Sequence, residues 1–257
     1  MLKELKILKS HGTQYVKNLR TQNVSVLFRG RPVISDTLSR DEINEIASLC
    51  PVHAIDKETG SMDLGKCVFC KECVFRKPDK IRFTNDYRIA TNIREALIIK
   101  PGQEGPVRME EDRIRQEIRK LFKGALKLRQ VSAGGDNSCE WELNAAGNVN
   151  FDMGRYGIEF VASPRHADGI VVTGPITQNM ARPLQLCYDA VPYPKIIILA
   201  GTDAISGGLF ENSPAVDRSF LNQYRVDLYV PGNPVHPLTF INGLLDLTGK
   251  RTKDLKP

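Results

Sequence analysis

Beyond about residue 130 the chain is built from short apolar runs, each followed closely by Gly, Ser or Pro. Ile158-Glu-Phe-Val161, Gly169-Ile-Val-Val172, Lys195-Ile-Ile-Ile-Leu199 and Val226-Asp-Leu-Tyr-Val230 have the length and β-branching of buried strands. Between them, segments such as 178–191 are long enough for helices. Short buried strands alternating with helices predict an α/β domain around a parallel sheet over residues 130–250. In such sheets, sites form in the loops after the carboxyl ends of the strands, here 173–177, 201–208 and 231–237.

Upstream the texture differs. The spacing of Leu2, Leu5, Leu8 and Tyr15 predicts a short amphipathic helix over 2–20, within an arm covering 1–38. Phe28-Arg-Gly-Arg-Pro32 is a turn-rich lead out of it. Residues 39–100 hold most of the cysteines and short extended pieces, of which Ile81-Arg-Phe83 is the clearest. Pro101-Gly-Gln-Glu-Gly-Pro106 punctuates the chain as a linker. After it, Ile114, Ile118, Leu121, Phe122 and Ala125 recur at helical spacing, so 101–129 reads as linker plus amphipathic helix.

Composition changes this picture little: 41% apolar and 26% charged residues are ordinary for a folded chain of 257 residues. The densest apolar stretch, Ile196-Ile-Ile-Leu-Ala-Gly201, is far shorter than the about 20 residues that cross a bilayer. Met1-Leu-Lys-Glu-Leu-Lys lacks the apolar core of a signal peptide, so a cytoplasmic protein, soluble or peripheral, is expected. Charge adds more. Residues 1–31 carry Lys3, Lys6, Lys9, Lys17, Arg20, Arg29 and Arg31 against Glu4 alone, matching the +6 net charge of the whole chain. A basic arm suits acidic lipid headgroups or an acidic partner, and a solvated helix face is the plainer reading. No aromatic-lined basic platform accompanies it, which argues against nucleic acid.

Four of the six cysteines crowd into residues 50–73, a density that in a cytosolic chain points to metal rather than disulfides. Cys67-Val-Phe-Cys70-Lys-Glu-Cys73 is a C-x2-C-x2-C run, and Cys50 is followed by Pro51. Bacterial ferredoxins use C-x2-C-x2-C-x3-C-P twice, each run lending its fourth cysteine to the other cluster. In those terms Cys50-Pro51 is the tail of a first run whose three leading cysteines are gone, since 39–49 holds none. The second run keeps its three, with Lys77-Pro78 where its own Cys-Pro belongs. The four surviving ligands all serve one cluster and the four missing ones all serve the other, a division that random loss rarely produces. A small α+β ferredoxin-like domain over 39–100 with one [4Fe–4S] cluster on Cys50, Cys67, Cys70 and Cys73 is the expectation. Zinc on the same four thiolates is the alternative, although zinc sites usually pair two C-x2-4-C elements.

The later part of the chain resembles a known family. Arg155-Tyr-Gly-Ile-Glu-Phe-Val-Ala-Ser-Pro-Arg-His-Ala-Asp168, Val172-Thr-Gly-Pro-Ile-Thr177, Asn179-Met-Ala181, Ser206-Gly-Gly208 and Pro231-Gly-Asn-Pro234 resemble the small electron-transfer subunit shared by respiratory complex I (its 20-kDa, B-type subunit) and membrane-bound, energy-converting [NiFe] hydrogenases. The N-terminal part looks like the two-cluster ferredoxin subunit of these complexes, here fused to the small subunit. The resemblance implies a flavodoxin-like α/β fold holding one [4Fe–4S] cluster beside a catalytic or quinone-binding subunit. It also implies four cysteine ligands, at positions where this chain has Asp136, Cys139, Asp203 and Asn233. Only one thiol survives, so an empty structural site is expected there, with a harder cation as the alternative. Cys187, in the expected helix, reads as a buried apolar residue. The resemblance places Arg165 and His166 near that cluster and the partner subunit, for docking or tuning, and a hydrogen-bonded structural pair is an equal reading.

Two functions follow. One is an iron–sulfur electron-transfer subunit without catalytic residues, docked on hydrogenase large-subunit-like or complex I-like subunits and peripheral on the cytoplasmic face of the membrane. The other is a non-redox scaffold or assembly subunit of such a complex. An independent enzyme is the weakest case, because no phosphate-binding Gly-rich loop, triad or carboxylate pair stands out.

Overall fold

The computed structural model describes residues 2–12 and 14–250. The first helix, α1 (Leu2–His11), buries no residue and ends well short of residue 20. After it the chain drapes over the rest of the molecule. Leu19 is fully buried, and its carbonyl accepts from Tyr87 Oη (3.0 Å) and Asn242 Nδ2 (2.9 Å). Burying one leucine contributes about 1.5–3 kcal/mol, so this stretch is anchored although α1 is not.

The cysteine-bearing part is small and irregular. β1 (Pro32–Ile34) pairs antiparallel with β3 (Ile81–Phe83), and β2 (Met62–Asp63) with β4 (Ile98–Ile99). Two short helices, α2 (Arg40–Leu49) and α3 (Glu72–Arg76), pack on each other. Helix α2 starts at a capping box, in which Ser39 Oγ accepts from Glu42 N and the Glu42 carboxylate accepts from Ser39 N. Such a cap is worth ~1 kcal/mol and sets where the helix begins.

The remainder is an α/β layer structure. The stretch expected to be a long helix shortens to α4 (Gln116–Leu121), with Ile114, Ile118 and Phe122 buried and Leu121 exposed. It leads into β5 (Leu126–Ser132), a strand that the apolar pattern does not predict. Then follow α5 (Ser138–Ala146), β6 (Ile158–Phe160), β7 (Gly169–Thr173), α6 (Gln178–Ala190) and β8 (Ile196–Ala200). The chain closes with α7 (Thr202–Ser206), α8 (Ser219–Gln223), β9 (Leu228–Val230) and α9 (Pro237–Thr248). The five strands are all parallel in the order β6-β5-β7-β8-β9, the flavodoxin-like arrangement. Every residue of β7 and β8 is buried, as helix-covered parallel strands require.

Strand alternation splits the core into two layers. Ile170, Val172, Ile197 and Leu199 face a layer that includes Leu184 and Tyr188 of α6, Ile205 of α7 and, from the small N-terminal part, Ile46, Leu64, Cys67 and Phe69. Val171, Ile196 and Ile198 face the opposite layer, with Ile118, Leu143, Leu19 and the buried helix α9. The cysteine-bearing part thus shares one apolar core with one face of the sheet. Among the described residues, no helix is long and apolar enough to cross a membrane.

Candidate functional site

The four clustered cysteines line one cavity with Val52, Ala54, Ile55, Met62 and Phe83. Local sequence explains how each arrives. Helix α2 ends at Cys50, where Pro51 prevents another turn. His53 then takes a left-handed conformation (φ 48°), turning the Ala54 N–H back onto Cys50 Sγ at 3.2 Å. In the C-x2-C-x2-C run, Phe69 (φ 54°) and Lys71 (φ 73°) are also left-handed, and Phe69 N–H donates to Cys67 Sγ at 3.3 Å. Lys71 is the N-cap of α3, which places Cys73 in its first turn. Amides aimed at sulfur favour the thiolate.

The pocket as a whole opposes free thiolates. Burial pushes the Cys67 thiol far up and the Cys73 thiol to about 11, and the neighbouring cysteines of the set add to both. Four thiolates share this apolar space only if a strongly positive centre joins them. Among the described residues, no group of three or more His, Cys, Asp or Glu is arranged to hold a single metal ion.

This pocket sits directly on the strand-end loops of the sheet. Thr202 Oγ1, at the start of α7, donates to the Cys67 carbonyl at 2.9 Å. Lys66 pairs with Glu211 at 2.7 Å. Arg94 grips Asp63 with both nitrogens, at 2.8 and 2.6 Å. Gly65 lies between them, where an added Cβ would meet Ile205 Cγ2 and the Arg94 guanidinium at 2.8 Å. The Arg29 guanidinium donates to the Phe69 carbonyl, inside the cysteine loop. The sequence presents Arg29 only within the basic arm and Thr202 only within the strand-end loop 201–208, because no local spacing links 29 to 69 or 202 to 67.

The second set of positions lies around the same strand ends. Asp136 follows β5, Cys139 opens α5 and Asp203 stands in α7. The three lie within electrostatic reach of one another, since Asp136 and Asp203 both act on the Cys139 thiol. Burial pushes that thiol up to about 12. Its sulfur fills the space beside Gly201, 2.5 Å from where a Cβ would stand, which explains glycine there. Asp136 is already engaged: its Oδ1 accepts from Ser138 N (2.9 Å) and Oγ (2.6 Å), holding the carboxyl below the usual range. Asp203 is shifted the other way, raised chiefly by burial and then by Asp136, with Arg218 opposing. Asn233, before a cis proline, lines a neighbouring cleft with Phe28, Arg29, Phe69 and His236. A neutral thiol, two carboxylates and an amide do not fit a thiolate-bound cluster. Glu140, buried beside them, accepts from Ser132 Oγ and Thr173 Oγ1, both at 2.6 Å, and belongs to the wall of the site.

The remaining candidates separate from both sites. Arg165 and His166 are exposed on a 3₁₀ turn just before β7, where strands begin rather than end. Among the described residues, neither side chain has a hydrogen bond or ion pair, so neither the tuning nor the structural-pair expectation fits. Cys187 is on α6 as expected, half-buried rather than buried, with its thiol raised by burial.

A five-stranded parallel sheet in flavodoxin-like order, with cysteine and acidic positions gathered on its carboxyl-end loops, defines the class of this domain. Residues 137–247 match the family described as NADH ubiquinone oxidoreductase, 20 Kd subunit. The chain is 36% identical over 126 residues to a probable membrane-bound hydrogenase subunit (mbhJ) of Pyrococcus furiosus, covering 49% of this chain and 75% of that one. It is 43% identical over 113 residues to the B-type subunit of the NADH-quinone oxidoreductase of Clostridium beijerinckii, covering 44% and 67%. A chain in the solved structure of a membrane-bound sulfane sulfur reductase, an archaeal respiratory membrane complex, aligns with a TM-score of 0.44 at 25% identity, covering 49% and 70%. The protein belongs to the family of the 20-kDa subunit of NADH ubiquinone oxidoreductase. The four-cysteine pocket lies outside the residues that this family match spans.

Proposed function

We propose that the protein is an iron–sulfur electron-transfer subunit of a complex I-like or membrane-bound hydrogenase-like assembly. Cys50, Cys67, Cys70 and Cys73 hold one [4Fe–4S] cluster in a ferredoxin-like module (39–100), joined through 101–129 to the small-subunit-like domain (130–250). When bound, such a cluster takes up and releases single electrons. The chain's own residues hold and shield it. Val52, Ile55, Met62 and Phe83 exclude water, and the Ala54 and Phe69 amides stabilise sulfur charge. Thr202 fixes the cysteine loop against the strand-end loops, and Arg29 ties it to the N-terminal arm. The single observation that carries this reading is that Cys50 and all three cysteines of the C-x2-C-x2-C run line one cavity.

Partners are then hydrogenase large-subunit-like or complex I-like subunits, as the names of the relatives suggest, with the chain peripheral on the cytoplasmic face. Asp136, Cys139, Asp203 and Asn233 form a degenerate site whose role is structural. That site favours a second reading, a non-redox scaffold, for the α/β domain taken alone. Protein purified without oxygen is expected to hold ~4 irons and ~4 sulfides per chain. Stoichiometric zinc without iron removes the redox reading, and ~8 irons show that the strand-end site also carries a cluster.

A further inference from the structure

The end of the sheet where the strands begin carries a different chemistry. An open cleft of about 880 Å³ lies there between the ends of α4 and α9. Arg20, Arg119, Lys120, Lys123 and Lys250 line it, against the carboxylates of Glu111 and Asp246. Arg20 pairs with Asp246 at 2.6 Å and Arg119 with Glu111 at 3.3 Å, so both carboxylates are committed. Among the described residues, Lys120 and Lys123 take part in no hydrogen bond or ion pair, and both are exposed. The Arg119 Nε is buried without a partner. Cations in the last turn of α4 complement its dipole, which accounts for Arg119 and Lys120 in part. That reason does not reach Arg20, Lys123 or Lys250, which arrive from outside both helices.

The chain that follows α1 is held near this cleft. Shortly after α1 ends, Tyr15 stacks on the Arg155 guanidinium, which also covers Tyr156, and the Tyr156 carbonyl accepts from Lys250 of the cleft. Leu2, Leu5 and Leu8 lie on one side of α1, 76, 55 and 65% exposed, with Lys3, Lys6 and Lys9 interleaved and no residue of the helix buried. Exposed leucines with lysines beside and among them, near a cleft with unpaired cations, combine the two features of an interfacial membrane surface.

We propose that this end of the molecule docks on an anionic phospholipid bilayer. Leu2, Leu5 and Leu8 enter the acyl boundary, and Lys120 and Lys123 take phosphate headgroups. This surface lies opposite the strand-end loops, so it leaves the cysteine pocket and its surroundings free for protein partners. The proposal is independent of what the cysteines bind.

The test is co-sedimentation of the full chain with vesicles of equal parts phosphatidylcholine and phosphatidylglycerol, beside vesicles of phosphatidylcholine alone. Binding to the mixed vesicles only, released by high salt, is expected. Lys120→Glu with Lys123→Glu is expected to weaken it more than about tenfold, because each basic residue near the surface counts separately. Leu5→Asp with Leu8→Asp is expected to weaken it as well. All four residues are exposed, so circular dichroism and thermal melting should match the parent protein. Absence of binding to the anionic vesicles, equal binding to both kinds, or undiminished binding by the lysine pair overturns the proposal. An acidic protein as the true occupant would give the first of these outcomes.

Discussion

Two thiol-bearing sites meet across α7, and they differ in what their groups are free to do. Around the cysteine pocket the side chains are apolar apart from Lys71 and Glu72, and amides of Ala54 and Phe69 point at sulfur. Around Cys139 two carboxylates are already used, Asp136 by Ser138 and Glu140 by Ser132 and Thr173, while the buried Asp203 carboxyl is raised. One site gathers four thiols, and the other sets a single thiol among carboxylates that are partly committed. A shared fold and a shared wall do not make equivalent sites; the unsatisfied coordination chemistry decides.

The largest effect should separate them outright. Cys70→Ser is expected to abolish the paramagnetic spectrum of the reduced protein, since it removes a thiolate from the complete set. Cys139→Ser is expected to leave that spectrum unchanged and to cost about 1 kcal/mol or less, because serine can keep a bond to the Val235 amide beside the thiol. A signal lost in the Cys139 variant, with the fold intact by circular dichroism, would show metal at the strand ends.

A middle-sized effect concerns the loop that carries Asn233. His236 caps α9, its Nδ1 accepting from Leu238 N at 3.1 Å, and burial lowers its pKa to about 4. An unfolded histidine titrates near 6.5, so the unfolded chain binds this proton first as the pH falls. The stability it contributes is complete above pH ~6.5 and is lost progressively down to about 4, by up to ~3 kcal/mol. His236→Asn keeps a capping side chain and should flatten that acid limb in melting curves taken across this range. An unchanged slope would place the acid sensitivity elsewhere.

The smallest effect tests Asp203. Its carboxyl is raised, so the folded state favours the proton and the contribution is present below the unfolded carboxylate pKa and lost as the pH rises through the folded one. Asp203→Asn should therefore melt slightly higher than the parent at neutral pH and no higher in acid. A variant that is less stable at neutral pH would mean that the carboxylate has a cation there, and would reopen the degenerate site as an ion site.

Much of this was legible along the chain. Cysteine spacing singled out the four thiols that line the pocket, because a C-x2-C-x2-C loop encodes its own local geometry, left-handed turns included. The apolar runs identified four of the five sheet strands, and motif residues at the strand ends pointed to the family. What escaped were features without a local signature. Strand β5 alternates Leu126 and Leu128 with Lys127 and Arg129, and after a helical pattern it reads as more of the same. The arm that looked uniformly basic divides at residue 12, and only contact with Tyr87 and Asn242 reveals Leu19 as core. Periodicity also promised α4 two turns more than the packing of Ile118 and Phe122 allows.

Which thiols gather was determined by the sequence alone, since spacing acts within a few residues. Where that pocket faces was decided only by the tertiary structure. The Thr202 bond to Cys67, the glycine gap at Gly65 and the cleft drawn from residues 20, 119–123 and 250 join segments far apart along the chain. Such contacts exist only once a parallel sheet has brought its strand beginnings to one end and its strand endings to the other.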